Sequence, residues 1–134
     1  MAFTPINFED GHLVDLPMTA ATYTKGQALT CTSGYYVTAT ASMGGEVFAV
    51  CMEGIVIGTT GDTARCITTR GPKFLADTDA APAATDAHTE CDLAAATTLN
   101  PDASGDNLFY IEKCLLPLTD KKVIGYFKHE NLNA

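Results

Sequence analysis

The residues through which this chain could do nucleophilic or soft-metal chemistry are three histidines and five cysteines. His12, His88 and His129 stand in separate segments, and none has a Ser or Cys beside it in a nucleophile motif. A Ser/His/Asp or Cys/His engine therefore has to be assembled from distant parts of the chain. In "HTEC", His88 and Cys91, flanked by Asp86 and Asp92, could offer one nitrogen and one thiolate on a common helical face. Two such ligands fall short of the tetrahedral set that zinc requires. The acidic "DTD" at 77–79 and "DASGDN" at 102–107 carry oxygens of the kind calcium takes, yet neither fits a calcium loop closed by a Glu. Turn-forming Asp and Asn account for both. "GTTGD" at 58–62 lacks the Lys and Ser/Thr that make a Gly-rich loop a phosphate cradle. Cys31, Cys51, Cys66, Cys91 and Cys114 are odd in number, widely spaced and without a C-x-x-C. Small buried thiols in a reducing compartment are the expectation, not a disulfide framework. The residues thus read as non-enzymatic, with no cofactor and no metal.

Length and composition bound the scaffold that must hold these groups. A chain of 134 residues makes one domain around one core. With 46% hydrophobic and 18% charged residues it is globular in composition, and rich in small Ala, Thr and Gly. A formal charge of −8, with basic residues scattered apart from Lys121 and Lys122, argues against a nucleic-acid surface. The longest apolar runs, such as "VFAV" and "GIVIG", are far short of the roughly 20 residues that span a bilayer, so no membrane partner is expected. "MAFTPINFEDGHLVDLP" has no basic n-region and carries acids where a signal peptide is apolar, which predicts synthesis in the cytosol.

Along the chain the texture changes twice. Residues 1–24 read as an extended N-terminal arm: Pro5 and Pro17 interrupt any helix, and Phe3, Ile6, Phe8, Leu13, Val14 and Leu16 follow no helical period. Such an arm packs either on its own domain or on a partner. Residues 25–130 read as a single β-rich domain. Gly-bearing turns separate "ALTCT", "YYVTATA", "EVFAVCM", "EGIVIG" and "ARCITT", the pattern of a small antiparallel β-barrel or sandwich. In "YYVTATA", Tyr35, Val37, Ala39 and Ala41 fall on one face and Tyr36, Thr38 and Thr40 on the other. Residues 76–107 are rich in Ala, Thr and Asp, with Leu93 and Leu99 as their large apolar residues. They read as a long surface excursion with one short helix near 86–96. "LFYIEKCLLPL" and "VIGYFKHE" around "TDKK" predict a closing hairpin.

The stretch "VDLPMTAATYTKGQALTCTSGYYVTAT", followed by "GEVFAVCMEGIVIG" and "VIGYF", resembles head decoration proteins of tailed bacteriophages, also called capsid cement proteins. The likeness rests on the "KGQAL" lead-in at 25–29, a Gly-turned second strand, and the G-E-x-x-x-V strand at 45–50 running into "EGIVIG" at 53–58. It covers roughly residues 14–75 and 108–128; the 76–107 excursion and the five cysteines depart from the simplest members. The resemblance implies a β-tulip-like fold and a homotrimer on the outside of an icosahedral capsid. There, at local threefold positions, it would bind the major capsid protein and stabilise the expanded head. It places the chain on the virion exterior after synthesis in the host cytoplasm. On this reading the arm adds a strand to an exposed sheet edge of the capsid, with Phe3, Ile6, Phe8 and Leu13 as apolar contacts and Glu9, Asp10 and Asp15 meeting basic groups. The alternatives are another virion-associated β-domain, in a head fibre base or tail, and a non-viral β-barrel that binds a small ligand.

Overall fold

The computed structural model describes residues 3–7, 12–41, 46–103, 105 and 107–129. These form β1 (Thr4–Pro5), β2 (Leu13–Pro17), β3 (Ala21–Tyr23), β4 (Ala28–Thr32), β5 (Tyr35–Thr38), β6 (Ala49–Cys51), β7 (Ile55–Ile57), β8 (Thr63–Thr68), β9 (Phe74–Asp77), β10 (Thr89–Ala95), β11 (Thr98–Asn100), β12 (Phe109–Cys114) and β13 (Lys122–Phe127). A six-stranded sheet runs β1-β9-β13-β12-β10-β11, a five-stranded sheet β2-β8-β6-β4-β5, and β3 and β7 pair as a short ribbon. The named strands pair antiparallel throughout, and the sheets stay open, so the fold is a layered sandwich and not a closed barrel.

Burial follows from the layering. One core lies between the two large sheets, with Val50 and Ile67 from the five-stranded sheet meeting Phe74, Phe109, Ile111 and Phe127 from the six-stranded one. A second core lies on the other side of the five-stranded sheet, where Leu29, Ala49, Cys51, Ala64 and Cys66 meet Tyr23 and Ile57 of the ribbon. Neighbouring residues of one strand point to opposite faces, so Ala49 and Cys51 enter one core and Val50 the other. That is why the strand "AVC" is buried at every position. Small side chains suit a sheet sandwiched on both faces.

Two expectations are corrected. The leader is no free arm over its described residues. β1 pairs with β9, β2 with β8 and β3 with β7, so each layer contains a leader strand. Phe3 is 0% exposed and packs 4.9 Å from the Phe127 ring, among Phe74 and Phe109. The excursion at 76–107 is also part of the fold. It holds a 3-10 turn at Ala84–Asp86 and then, where a helix was expected, β10, which pairs with both β11 and β12. Cys91, Leu93 and Leu99 are buried in the main core. The Ala-rich sequence favours helix locally, but the strand partners on either side of β10 override that propensity.

Candidate functional site

The expected contact residues divide three ways. Phe3 is core, and its amide donates to the Gly26 carbonyl at 3.1 Å, so it cannot enter a pocket on another protein while the domain is folded. Phe8, Glu9 and Asp10 lie outside the described residues. Ile6 and Leu13 remain at the surface, 51% and 49% exposed. Asp15 is exposed as well, but its carboxylate already accepts from Arg65 Nε at 3.0 Å within the same chain.

The leader is tied down on both sides of the turn at residues 70–73. The Ile6 amide donates to the Lys73 carbonyl at 2.9 Å, and the Lys73 amide donates to Asn7 Oδ1 at 2.8 Å. On the other side the His12 amide donates to Thr68 Oγ1 at 3.2 Å, and the Thr68 amide donates back to the His12 carbonyl at 3.0 Å. Gly71, at φ +111°, supplies the left-handed backbone that lets the chain turn from β8 into β9.

That turn forms one wall of a cleft of about 370 Å³. Antiparallel pairing of β9 with β13 sets Phe74 opposite Gly125. Residues just before 74 therefore face residues just after 125. Arg70 and Lys73 line one wall; Tyr126, Lys128 and His129 line the other. Three of the eight Lys and Arg residues of a chain with net charge −8 thus converge here. Lys73 pairs with Glu112 at 3.0 Å and Lys128 pairs with Glu90. Arg70 is exposed.

Behind the cations a Thr, a His and a Glu lie in line. His129 Nε2 is 3.0 Å from Thr69 Oγ1, and Nδ1 is 3.4 Å from Glu46 Oε2. The order of groups is that of a hydroxyl-imidazole-carboxylate relay, but the polarity is wrong for one. Thr69 Oγ1 donates its hydrogen to the Val47 carbonyl at 2.8 Å, so His129 Nε2 is the donor to the hydroxyl. Thr69 is also only 1% exposed. A relay needs an accessible hydroxyl that gives its proton to the ring. This trio instead ties the end of β13 to the chain before β6, and it fixes the floor of the cleft.

The other motifs resolve into structural roles. His88 is exposed and 3.1 Å from the Tyr110 hydroxyl, whereas Cys91 is buried in the core, so "HTEC" does not bring its two donors together. Among the described residues no group of three or more His, Cys, Asp and Glu could hold a metal ion. Asp92 accepts from the Gly105 amide at 2.9 Å and the Asn107 amide at 2.8 Å, and so ties Gly105 and Asn107 of "DASGDN" to β10. No helix among the described residues is long and apolar enough to cross a membrane.

Sequence reasoning missed the cleft because its cations come from two segments more than fifty residues apart, from 73 to 126. Only the β9–β13 register brings them together. No family model, no curated protein and no solved structure matches the chain.

Proposed function

We propose that this chain is a non-enzymatic structural protein of a phage virion. It binds the outer surface of an icosahedral capsid as a homotrimer at local threefold positions and stabilises the expanded head. The sequence resemblance over roughly residues 14–75 and 108–128 supplies the class. The observation that carries the docking surface is the strapped leader, with Ile6 and Leu13 half exposed on either side of a turn that presents Arg70 and Lys73.

A leader already hydrogen-bonded to its own domain loses little further freedom on docking, which lowers the entropic cost of association. Burying the exposed halves of two apolar side chains contributes about 1 kcal/mol each. Exposed ion pairs add about 0–1 kcal/mol each. One copy therefore binds weakly, and three linked copies gain through avidity. The charge of the expected partner also changes sign. Asp15 pairs with Arg65, and Lys73 and Lys128 pair with Glu112 and Glu90, so the exposed Arg70 fork is the cation offered to a carboxylate of the capsid surface.

The test is co-sedimentation with expanded heads that lack this chain, comparing wild type with Ile6→Asp/Leu13→Asp and with Arg70→Glu. Each variant should melt like wild type, because these side chains are exposed, and each should bind at least about tenfold more weakly. Undiminished binding by both variants contradicts the reading. The cleft volume of about 370 Å³ favours one second reading, a β-domain that binds a small anionic ligand. In that case Arg70→Glu loses the ligand while Ile6→Asp/Leu13→Asp keeps it.

A further inference from the structure

We propose that Cys51 and Cys66 form a dithiol site of covalent modification, which a peroxide oxidises to a cross-strand disulfide between β6 and β8. The two residues are direct partners in the antiparallel register. The Cys51 amide donates to the Gln27 carbonyl at 2.9 Å and its carbonyl accepts from the Gly26 amide at 2.7 Å, so both backbone groups face the β4 side. On the β8 side the hydrogen bonds belong to the neighbours, as in Met52 N–H to the Arg65 carbonyl at 2.9 Å. Cys51 and Cys66 are therefore a non-hydrogen-bonded pair, the kind whose Cα atoms lie closest, roughly 4.5 Å apart. That separation falls within the disulfide range of about 4.4–6.8 Å.

The side chains agree with the backbone. Both point into the core beneath the ribbon, where the Cys51 thiol donates to the Glu53 carbonyl at 3.1 Å and the Cys66 thiol to the Ala64 carbonyl at 3.5 Å. The proximity of the Cys66 thiol lowers Cys51 against the cost of burial, and the same proximity raises Cys66. In the proposed oxidation Cys51, the lowered of the two, attacks and Cys66 resolves. The remaining cysteines lack this arrangement: Cys31 faces Tyr36 across the sheet, Cys91 lies in the other core, and Cys114 approaches the Ala83 carbonyl at 3.7 Å.

The step balances with hydrogen peroxide as oxidant. The Cys51 thiolate attacks one peroxide oxygen; an S–O bond forms, the O–O bond breaks, and water leaves after taking the thiol proton. The Cys66 sulfur then attacks the sulfenic sulfur; the S–S bond forms, the S–O bond breaks, and a second water leaves with the remaining proton. Two electrons pass from the sulfurs to the peroxide. Access is through the ribbon. Tyr23 of β3 and Ile57 of β7 cover the pair, and these strands pair over only three residues each, so local opening there admits a small oxidant.

The test uses the full chain carrying Cys31→Ser and Cys114→Ser, which removes the two cysteines outside the cores. It is treated with hydrogen peroxide a few degrees below its melting temperature. Trypsin cleaves after Arg65 and so separates Cys51 from Cys66. The expected result is a mass loss of two hydrogens, a tryptic cross-link joining the two cysteines, and a melting temperature raised by roughly 10 °C that dithiothreitol reverses. Cys51→Ala and Cys66→Ala should each abolish the cross-link. Recovery of both cysteines as free thiols after denaturation and alkylation, or a cross-link to Cys91 instead, overturns the proposal.

Discussion

Cys91 shows how a single buried thiol couples this fold to pH. It is fully buried in the core between the large sheets, and burial first, then the Asp92 and Asp86 carboxylates, push its thiol from 9.0 up to about 12. A folded value above the unfolded one means the associated stability is complete below about pH 9 and is lost as pH rises toward 12, because the unfolded chain ionises first. The slope approaches about 1.4 kcal/mol per pH unit for one such group. Urea melts across that window should show the decline, and Cys91→Ala should make it shallower by about one proton's worth of slope, the rest coming from raised groups such as Cys66 and Tyr23, at the cost of a lower plateau from the lost packing. Asp92, next along the strand, illustrates a different burden. Its carboxylate is buried, and it is tolerated there because two loop amides donate to it.

At the scale of elements, the leader matters most. Its strands enter all three layers, and Phe3 closes a cluster of four phenylalanine rings. Removing residues 1–16 takes away β1, most of β2 and the Phe3 ring together. The truncated chain should not melt cooperatively, so its failure to bind a capsid says nothing about contact residues. Phe3→Ala alone should cost about 3–5 kcal/mol, the range for a buried aromatic truncated in a packed core, and chemical denaturation would measure it. Smaller losses would mean the core closes without the leader. The strands between residues 25 and 75 were legible because β-branched runs alternate with Gly turns. β10 was not, because Ala, Asp and Thr carry little strand signal, and Cys91 and Leu93 are core only by virtue of their neighbours. The arm pattern was ambiguous for the same reason. Phe3 and Ile6 look alike in sequence, and only β1 pairing with β9 sends one inward and leaves the other exposed. Of the expected contact residues, Ile6 and Leu13 kept their place at the surface, while the cations of the cleft had no local motif to reveal them.

At the scale of the molecule, two cores share one middle sheet, so the layers resist sliding past each other and the proposed docking face rests on a sheet packed on both sides. A net charge of −8 favours solubility at high local density, and against that background the exposed Arg70 at the cleft is the cation through which the proposed acidic partner would be met. On the proposed reading, weak contacts repeated in a trimer, and trimers repeated over a shell, would give a coat whose stoichiometry follows that of the shell. The most direct measurement is therefore quantitative mass spectrometry of density-gradient-purified particles from the source lysate, counting this chain against the major capsid protein. A ratio near one copy per capsid subunit is the result predicted; a few copies per particle, or absence from the particle fraction, contradicts the capsid-coat reading.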